Sequence, residues 1–371
     1  MAIGEEGNSG DATGDGAGGT SQQSQTLMSL HKDFVHSIAF NHYGRRFATC
    51  SGDRTVRVWD LTDSGEWSAA PGSEWQAHRG SVTEVSWAHP EFGQLLATAG
   101  SDHAATVWEE RVGGLGLPGS QGGGIADVPG GAQQGGGGGG SRWISRAQLT
   151  EARKCVTCVQ FAPRHLGLKL ATGSADGVVR IYEAIDVMNL NHWPMNGSIE
   201  AEKGAELGIN SLSWCGGRFE PPTLAVGGSS GAASVYRYSD AARAWTLVAS
   251  LPRHERGVLD VAWAPNVGRS YHLIATCGHD NVLRVHRLKR GTSAEKGSDT
   301  LEQESSQVLD TGGAEVWRCE WNVTGTVLAS SGDGGVVQLW KSDYHKNWSC
   351  VSEVHGDVSG RGATAPVAAN Q

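Results

Sequence analysis

Short apolar segments and turns alternate along the chain in a pattern that recurs six times. Each unit has an apolar segment ending in an aromatic residue, a turn, a second apolar segment, a turn rich in Gly, Ser and Asp, and a third segment with apolar residues at alternate positions. The sequence TVRVW from Thr55 is one such third segment. Because alternation is typical of a strand buried on one face, the pattern predicts antiparallel β-sheets.

Two aromatic positions mark each unit. The first ends the first strand and is occupied in turn by Phe40, Trp87, Phe161, Trp214, Trp263 and Trp321. The second follows 19 to 23 residues later, at Trp59, Trp108, Tyr182, Tyr236, His286 and Trp340. This register predicts first strands at Val35–Phe40, Val82–Trp87, Val156–Phe161, Ile209–Trp214, Val258–Trp263 and Val316–Trp321.

Polar residues also recur at fixed places. An Asp lies six residues before the second aromatic in four units, at Asp53, Asp102, Asp176 and Asp280, where its carboxylate can accept hydrogen bonds from turn amides. Ser230 replaces it in unit four and Gly334, after Asp333, in unit six, so these two turns should be built differently. A His precedes the first strand in three units, at His31, His78 and His254, which predicts a structural hydrogen-bond network within the blade.

Four strands in about 50 residues, with Trp59 followed by Asp60, is the signature of a WD repeat. Fourth strands are expected near 66–76, 142–149 and 347–354. The sequence therefore predicts an all-β, six-bladed WD-repeat propeller, whereas a multi-sheet β-sandwich would not repeat the same positions six times. The predicted structural positions are His31, Asp53, Trp59, His78, Asp102, Trp108, Asp176, Tyr182, His254, Asp280 and Trp340.

Glycine is unevenly distributed among the 371 residues. Of 54 glycines, seven lie in 1–20 and fifteen in 111–141. Segments with so little to bury should be disordered. We therefore expect a disordered tail at 1–26, a propeller at 27–355 that contains a disordered loop at 113–141, and a disordered tail at 356–371.

Composition excludes several classes of function. The formal net charge of −9 argues against direct nucleic-acid binding. No apolar run is long enough for membrane insertion, and the start of the chain lacks the features of a secretory signal, so a cytosolic origin is expected. The seven scattered cysteines fit reduced thiols better than a disulfide framework. Protein partners are therefore expected.

Several short strings match catalytic or ligand-binding motifs, but none has the surrounding structure or the further residues that its motif requires. GGSSG from Gly227 matches the nucleophile elbow, but a strand follows it where that motif requires a helix. GLGLPG from Gly114 cannot open the helix that a dinucleotide site needs. Cys155 and Cys158 form a single C-x-x-C motif on a predicted strand, without the second pair of a zinc site. The sequence thus predicts no enzyme, no metal and no organic cofactor.

Several segments resemble one family of WD-repeat proteins, the Seh-one nucleoporins, which are homologues of Sec-thirteen. The resemblance covers about 30–354 and is most specific in unit three. It is carried by GRRFATC from Gly44, WAHPEFGQLLAT from Trp87, FAPRHLGLKLATGSADGVVRIYEAIDVMNLNHW from Phe161, APNVGRSYHLIAT from Ala264 and WNVTGTVLASSGDGGVVQLWK from Trp321.

The resemblance implies a non-enzymatic scaffold subunit of the Y-shaped complex of the nuclear pore, located at the nuclear envelope and supporting transport of mRNA and protein. It implies binding to a helical-solenoid nucleoporin and to other subunits of that complex. It also implies a second role in the amino-acid-sensing growth-signalling complex, with a cytoplasmic, lysosomal or vacuolar pool. Two alternatives are a vesicle-coat propeller and a WD-repeat substrate receptor of a ubiquitin ligase; a propeller hydrolase would need converging catalytic groups.

The count of strands bears on how the ring closes. Units one and six are each complete in the pattern, and only Thr26 to Leu30 are candidate strand residues between the Gly/Ser tail and unit one, so no strand is expected to lock the ring from the opposite terminus. The flanks of blades one and six should then be free to pair. The resemblance implies that the solenoid partner completes the open ring by donating a blade in trans.

Overall fold

The structure is a computed structural model that describes residues 27–112, 141–204, 208–291 and 300–355. The expected disordered tails and residues 113–140 of the Gly-rich loop lie outside these ranges. Ser141, assigned to that loop from the sequence, instead begins a strand. Within the described ranges, no helix has the length and apolar character needed to cross a membrane.

Residues 29–355 form a compact unit of six four-stranded antiparallel sheets, each built from strands consecutive in sequence. Blades one to three contain β1 Val35–Phe40, β2 Arg46–Ser51, β3 Thr55–Leu61, β4 Trp67–Gln76, β5 Val82–Trp87, β6 Leu95–Gly100, β7 Ala105–Val112, β8 Ser141–Leu149, β9 Val156–Phe161, β10 Lys169–Ser174, β11 Val178–Glu183 and β12 Met195–Glu200. Blades four to six contain β13 Ile209–Trp214, β14 Thr223–Gly228, β15 Ala233–Ser239, β16 Ala244–Ser250, β17 Val258–Trp263, β18 His272–Gly278, β19 Leu283–Arg290, β20 Leu301–Leu309, β21 Val316–Trp321, β22 Val327–Gly332, β23 Val336–Ser342 and β24 Trp348–His355.

The six-bladed propeller fold and all six predicted first strands are confirmed. GGSSG from Gly227 spans the last two residues of β14 and the turn that leads into β15, as expected for a hairpin. One sequence assignment is wrong: Cys155 precedes β9, so only Cys158 of the C-x-x-C motif lies on a strand. Two single-turn 3-10 helices, Pro90–Phe92 and Arg164–Leu166, lie in the turns after β5 and β9.

The second strand of a blade is covered on both faces where the blade packs between its two neighbours. Ala97 and Ala99 on β6 are fully buried, as are Ala171 on β10 and Ala275 on β18. Because a sheet between two others is covered on both faces, small side chains such as Ala, Thr and Ser at these positions let the blades approach closely. This explains the recurring Ala-Thr pair in the second strand.

The turn between the second and third strands has the same backbone conformation in every blade. One residue of each turn has a positive φ, between 62° and 87°. Glycine, which adopts this conformation without strain, occupies it in blades three, four and six, and a side-chain-bearing residue occupies it in the others. The six residues are Arg54, His103, Gly177, Gly231, Asn281 and Gly335.

Successive blades pack through their first strands, from β1 to β5 and onward through β9, β13, β17 and β21. Side-chain hydrogen bonds accompany this packing. Thr83 donates to the Val156 carbonyl at 2.8 Å, and Asn210 donates to the Val258 carbonyl at 2.7 Å. In the described part of the chain, no comparable packing or hydrogen bond joins blade six back to blade one. The ring therefore has an open junction.

Candidate docking faces and the blade networks

Blades one, two and five each contain a buried hydrogen-bond network of the same kind. In blade two, His78 Nδ1 is 2.9 Å from Asp102 Oδ1 and His78 Nε2 is 2.7 Å from Thr98 Oγ1. The indole Nε1 of Trp108 donates to the same Thr98 oxygen at 3.0 Å. These bonds are satisfied together when the indole donates to Thr98, its hydroxyl donates to a neutral His78, and His78 donates to Asp102.

The same relay links four residues of blade one. His31 Nδ1 is 3.0 Å from Asp53 Oδ2 and His31 Nε2 is 2.9 Å from Thr49 Oγ1, to which Trp59 Nε1 donates at 3.1 Å. In blade five, His254 and Asp280 are 2.8 Å apart, and His286 takes the place of the tryptophan on Thr276 Oγ1 at 2.9 Å. The recurrent Thr follows the Ala of the second strand in four units, but it was not among the structural positions predicted from the sequence.

The carboxylate also fixes the loop that enters each blade. The amides of Lys32 and Arg79 donate to Asp53 and Asp102 at 2.9 and 2.8 Å. The amide of Arg153 donates in the same way to Asp176 at 3.0 Å. Burial opposes ionisation of Asp53, but its hydrogen bonds, from Thr55 above all, hold its pKa below the usual range.

The remaining blades use other partners. In blade three, Asp176 pairs with Arg180 at 2.7 Å and the Tyr182 hydroxyl donates to Glu151 at 2.9 Å. In blade six, Trp340 Nε1 donates to Ser330 Oγ at 2.9 Å. The exceptional turns are indeed built differently: Ser230 donates to Glu202 Oε1 at 2.5 Å, and Asp333 accepts from the Trp317 indole at 2.7 Å.

A Thr–His–Asp relay has the connectivity of a hydrolase triad, but its position excludes that use. Thr98 and Thr276 are fully buried and their oxygens are occupied by the indole or imidazole donor. A nucleophile must reach its substrate, and these hydroxyls do not reach the surface. Among the described residues, no group of three or more His, Cys, Asp or Glu is arranged to hold a metal ion. The networks therefore stabilise the blades.

Part of the exposed apolar surface lies at the open junction. The aromatic that ends each first strand packs toward the preceding blade: Trp87 Nε1 donates to the Ala39 carbonyl at 2.9 Å, and Trp321 Nε1 donates to the Ala262 carbonyl at 3.0 Å. Phe40 occupies this position in blade one and is 58% exposed, whereas Trp321 is 8% exposed. Phe40 therefore lacks the preceding blade that covers its counterparts.

Blade six shows the complementary exposure. Val56 and Val58 of blade one face blade two and are fully buried. Their counterparts on β23 are Val337, which is 38% exposed, and Leu339, which is half-buried. We call Ile38, Phe40 and the aromatic residues beneath them the blade-one open face, and Val337, Leu339 and Ala329 the blade-six open face. Together they are the candidate docking site.

The blade-one open face is an organised aromatic layer. The Phe40 ring lies 5.3 Å from Phe47 and 5.8 Å from Trp67, and the Phe47 ring stacks on Trp59 at 5.9 Å. Ile38, beside Phe40 on β1, is also 58% exposed. An apolar surface whose side chains are already ordered costs little conformational entropy on docking, so this face is suited to packing against another sheet.

Comparison with known proteins shows which family the chain is similar to. The model for "WD domain, G-beta repeat" matches residues 22–60, 70–109, 145–183, 245–287 and 304–341. Blade four lies mostly outside these matches and nevertheless forms the same four-stranded sheet. The chain is 40% identical over 355 residues to "Nucleoporin SEH1" of Danio rerio, covering 93% of the chain and 91% of that protein. It is 38% identical over 344 residues to "Nucleoporin SEH1" of Homo sapiens, covering 90% and 89%.

Proposed function

Because the chain belongs to the Nucleoporin SEH1 family of WD40-repeat proteins, we propose that it is a scaffold subunit of the outer-ring Y complex of the nuclear pore. The chain is a nucleoporin-type WD-repeat scaffold and not an enzyme. Its place in the pore follows from the name of its relatives, and its contribution to transport of mRNA and protein follows from that place.

The open junction is the observation that supports a docking role. Phe40 is 58% exposed where its counterparts are covered by the preceding blade, and Val337 is 38% exposed where Val56 is fully buried. An exposed apolar face on a β-sheet is typical of a surface that a partner protein covers. A partner that adds strands between blades one and six buries both open faces at once.

The partner we propose is a helical-solenoid nucleoporin that donates a blade in trans, with other subunits of the Y complex attached through it. In its absence the open faces remain in water, so the isolated propeller should aggregate. A second pool would bind the amino-acid-sensing complex in the cytoplasm or at the lysosome or vacuole. If that complex also inserts a blade, the two assemblies exclude each other on one molecule.

Affinity purification of the full chain with mass spectrometry tests this proposal. We expect solenoid nucleoporins to co-purify with the natural chain and to be lost from the double variant Ile38→Asp, Val337→Asp. The control is Ile185→Asp, which changes an isoleucine of blade three that is 69% exposed, somewhat more than Ile38, and lies away from the junction. Recovery of coat-cage subunits or ubiquitin-ligase adaptors in place of nucleoporins would show that the proposed assembly is wrong.

A further inference from the structure

A second concave site lies between blades five and six, on the side of blade six that faces away from the open junction. It is a cleft of about 260 Å³ lined by β18, β19 and β20 of blade five and by the turns of blade six. Its distinctive lining residues are Arg269, Tyr271, Arg287, Lys341, Lys346 and Trp348. We call it the blade five–six cleft.

Four cationic side chains line this cleft in a chain whose net charge is −9. Lys341 and Lys346 are exposed and form no ion pair within the described residues. Arg269 donates to two backbone carbonyls, of Gly325 at 2.7 Å and of Pro265 at 2.5 Å, and not to a carboxylate. One acidic group is close, since Glu304 pairs with Arg287 at 2.7 Å and with Lys289. Positive charge is therefore in excess.

The two arginines are held in place before any ligand arrives. The Arg287 guanidinium lies 3.4 Å from the centre of the Tyr271 ring, a cation–π contact. The hydrogen bond from Arg269 to Gly325 connects blade five to the β21–β22 turn of blade six. Burial and the nearby Arg287 charge both lower the pKa of Arg269. An anion in the cleft would relieve the repulsion between the two arginines.

We propose that the blade five–six cleft binds a phosphorylated serine or threonine in a flexible segment of a partner protein. A phosphate monoester supplies three acceptor oxygens and nearly two negative charges, which match clustered Arg and Lys donors. Leu273, Val285 and Trp348 give the cleft an apolar wall for the carbon atoms of the same side chain. The cleft is distinct from the open faces, so the site does not depend on the proposed blade in trans.

Size and charge favour a peptide over a membrane or a nucleic acid. A cleft of about 260 Å³ admits one side chain, whereas a lipid surface or a nucleic-acid backbone is bound by a broad basic surface. The basic groups that line the cleft are four, and acidic residues lie close by, with Glu304 beside them and Asp343 in the adjoining turn. An acidic chain would be repelled by an anionic membrane around such a small basic site.

The test uses the full chain and an immobilised peptide library with a central phosphoserine, randomised flanks, and an unphosphorylated counterpart. We expect about tenfold greater retention on the phosphorylated library, abolished in the double variant Lys341→Gln, Lys346→Gln. These lysines are exposed, so the variant should keep the natural melting temperature. The control Lys32→Gln, Lys169→Gln makes the same charge change away from the cleft and should bind like the natural chain. Equal retention on both libraries, unchanged binding by the double variant, or binding only to vesicles containing phosphoinositides would each overturn the proposal.

Discussion

Arg318 on the first strand of blade six lies 3.8 Å from Glu84 on the first strand of blade two, so the charges meet across the centre of the ring. Arg318 is equally close to Asp260 of blade five. Glu84 also accepts the Val159 amide at 2.7 Å, and Asp260 accepts the Cys319 amide at 3.0 Å. Three charged side chains therefore connect blades two, three, five and six, and of the two blades that border the open junction they reach only blade six.

Glu84 should make stability depend on pH. Its burial raises its pKa from 4.5 to about 7, although Arg318 and the Val159 amide oppose the shift. Between these values the folded protein binds more protons than the unfolded chain, so this group's contribution to stability is lost as pH rises. Glu84→Gln should therefore gain stability relative to the natural chain between pH 5 and pH 8, by about 2 kcal/mol. Urea denaturation at both pH values measures this, with the exposed Glu66→Gln as control; a pH-independent difference would contradict it.

The His254 network should contribute to the stability of blade five. His254→Ala removes the partner of Asp280 and of Thr276, which lie 2.8 and 2.9 Å from its ring nitrogens, and leaves both groups buried. The expected loss is about 2 kcal/mol in the free energy of unfolding. The exposed His345→Ala is the control and should change stability little. Equal denaturation midpoints for the two variants would show that the network contributes nothing measurable.

His286 gives a pH dependence of the opposite sign. Burial, with the nearby His254 and Arg284, lowers its pKa from 6.5 to about 3. Over that window the unfolded chain binds more protons, so this group's contribution is complete above pH 6.5 and is lost as pH falls. The glutamine of His286→Gln stays neutral at every pH. Between pH 7 and pH 5, the free energy of unfolding of this variant should therefore fall by about 1–2 kcal/mol less than that of the natural chain. Parallel stability curves for the two proteins would argue against a buried neutral imidazole.

Arg46 should connect blades one and two. Its guanidinium donates to both carboxylate oxygens of Glu110, at 2.6 and 2.9 Å, and to Asp60 at 2.5 Å. Because Glu110 is nearly buried, Arg46→Gln removes a bidentate charge pair in a poorly solvated place and should cost about 2–3 kcal/mol. Arg111→Gln, which breaks a more exposed pair with Glu109, should cost much less. Thermal melts of the two variants measure the stability that each substitution costs. Equal losses of stability would contradict this role of Arg46.

The first strands and the turn aspartates could be predicted from the sequence because they follow local rules. An apolar segment ending in an aromatic residue located each of the six first strands, and Asp53, Asp102 and Asp280 lie beside the histidines expected near them. Absence of a latch strand also followed from counting strands, and each sheet is indeed built from consecutive strands.

Features that join distant parts of the chain could not be predicted in this way. Arg46 and Glu110 are 64 residues apart, and Glu84 meets Arg318 only because the ring brings blades two and six together. The blade five–six cleft likewise combines residues from two blades. No local pattern encodes such pairs, since the distance between their members depends on how all the blades are arranged around the ring. The error at Cys155 is of another kind: the predicted strand already began at Val156, as β9 does, and the C-x-x-C motif was assigned to that strand although its first cysteine lies one residue before it.

The measurement that most directly tests the open ring is co-expression of the full chain with its solenoid partner, intact or lacking the partner's strand-forming N-terminal segment. We expect the intact partner to form a soluble complex, because the added strands cover Phe40 and Val337. The shortened partner should leave the propeller aggregated. Tight binding and full solubility with the shortened partner, or a free chain that is a stable closed monomer, would contradict completion of the ring in trans.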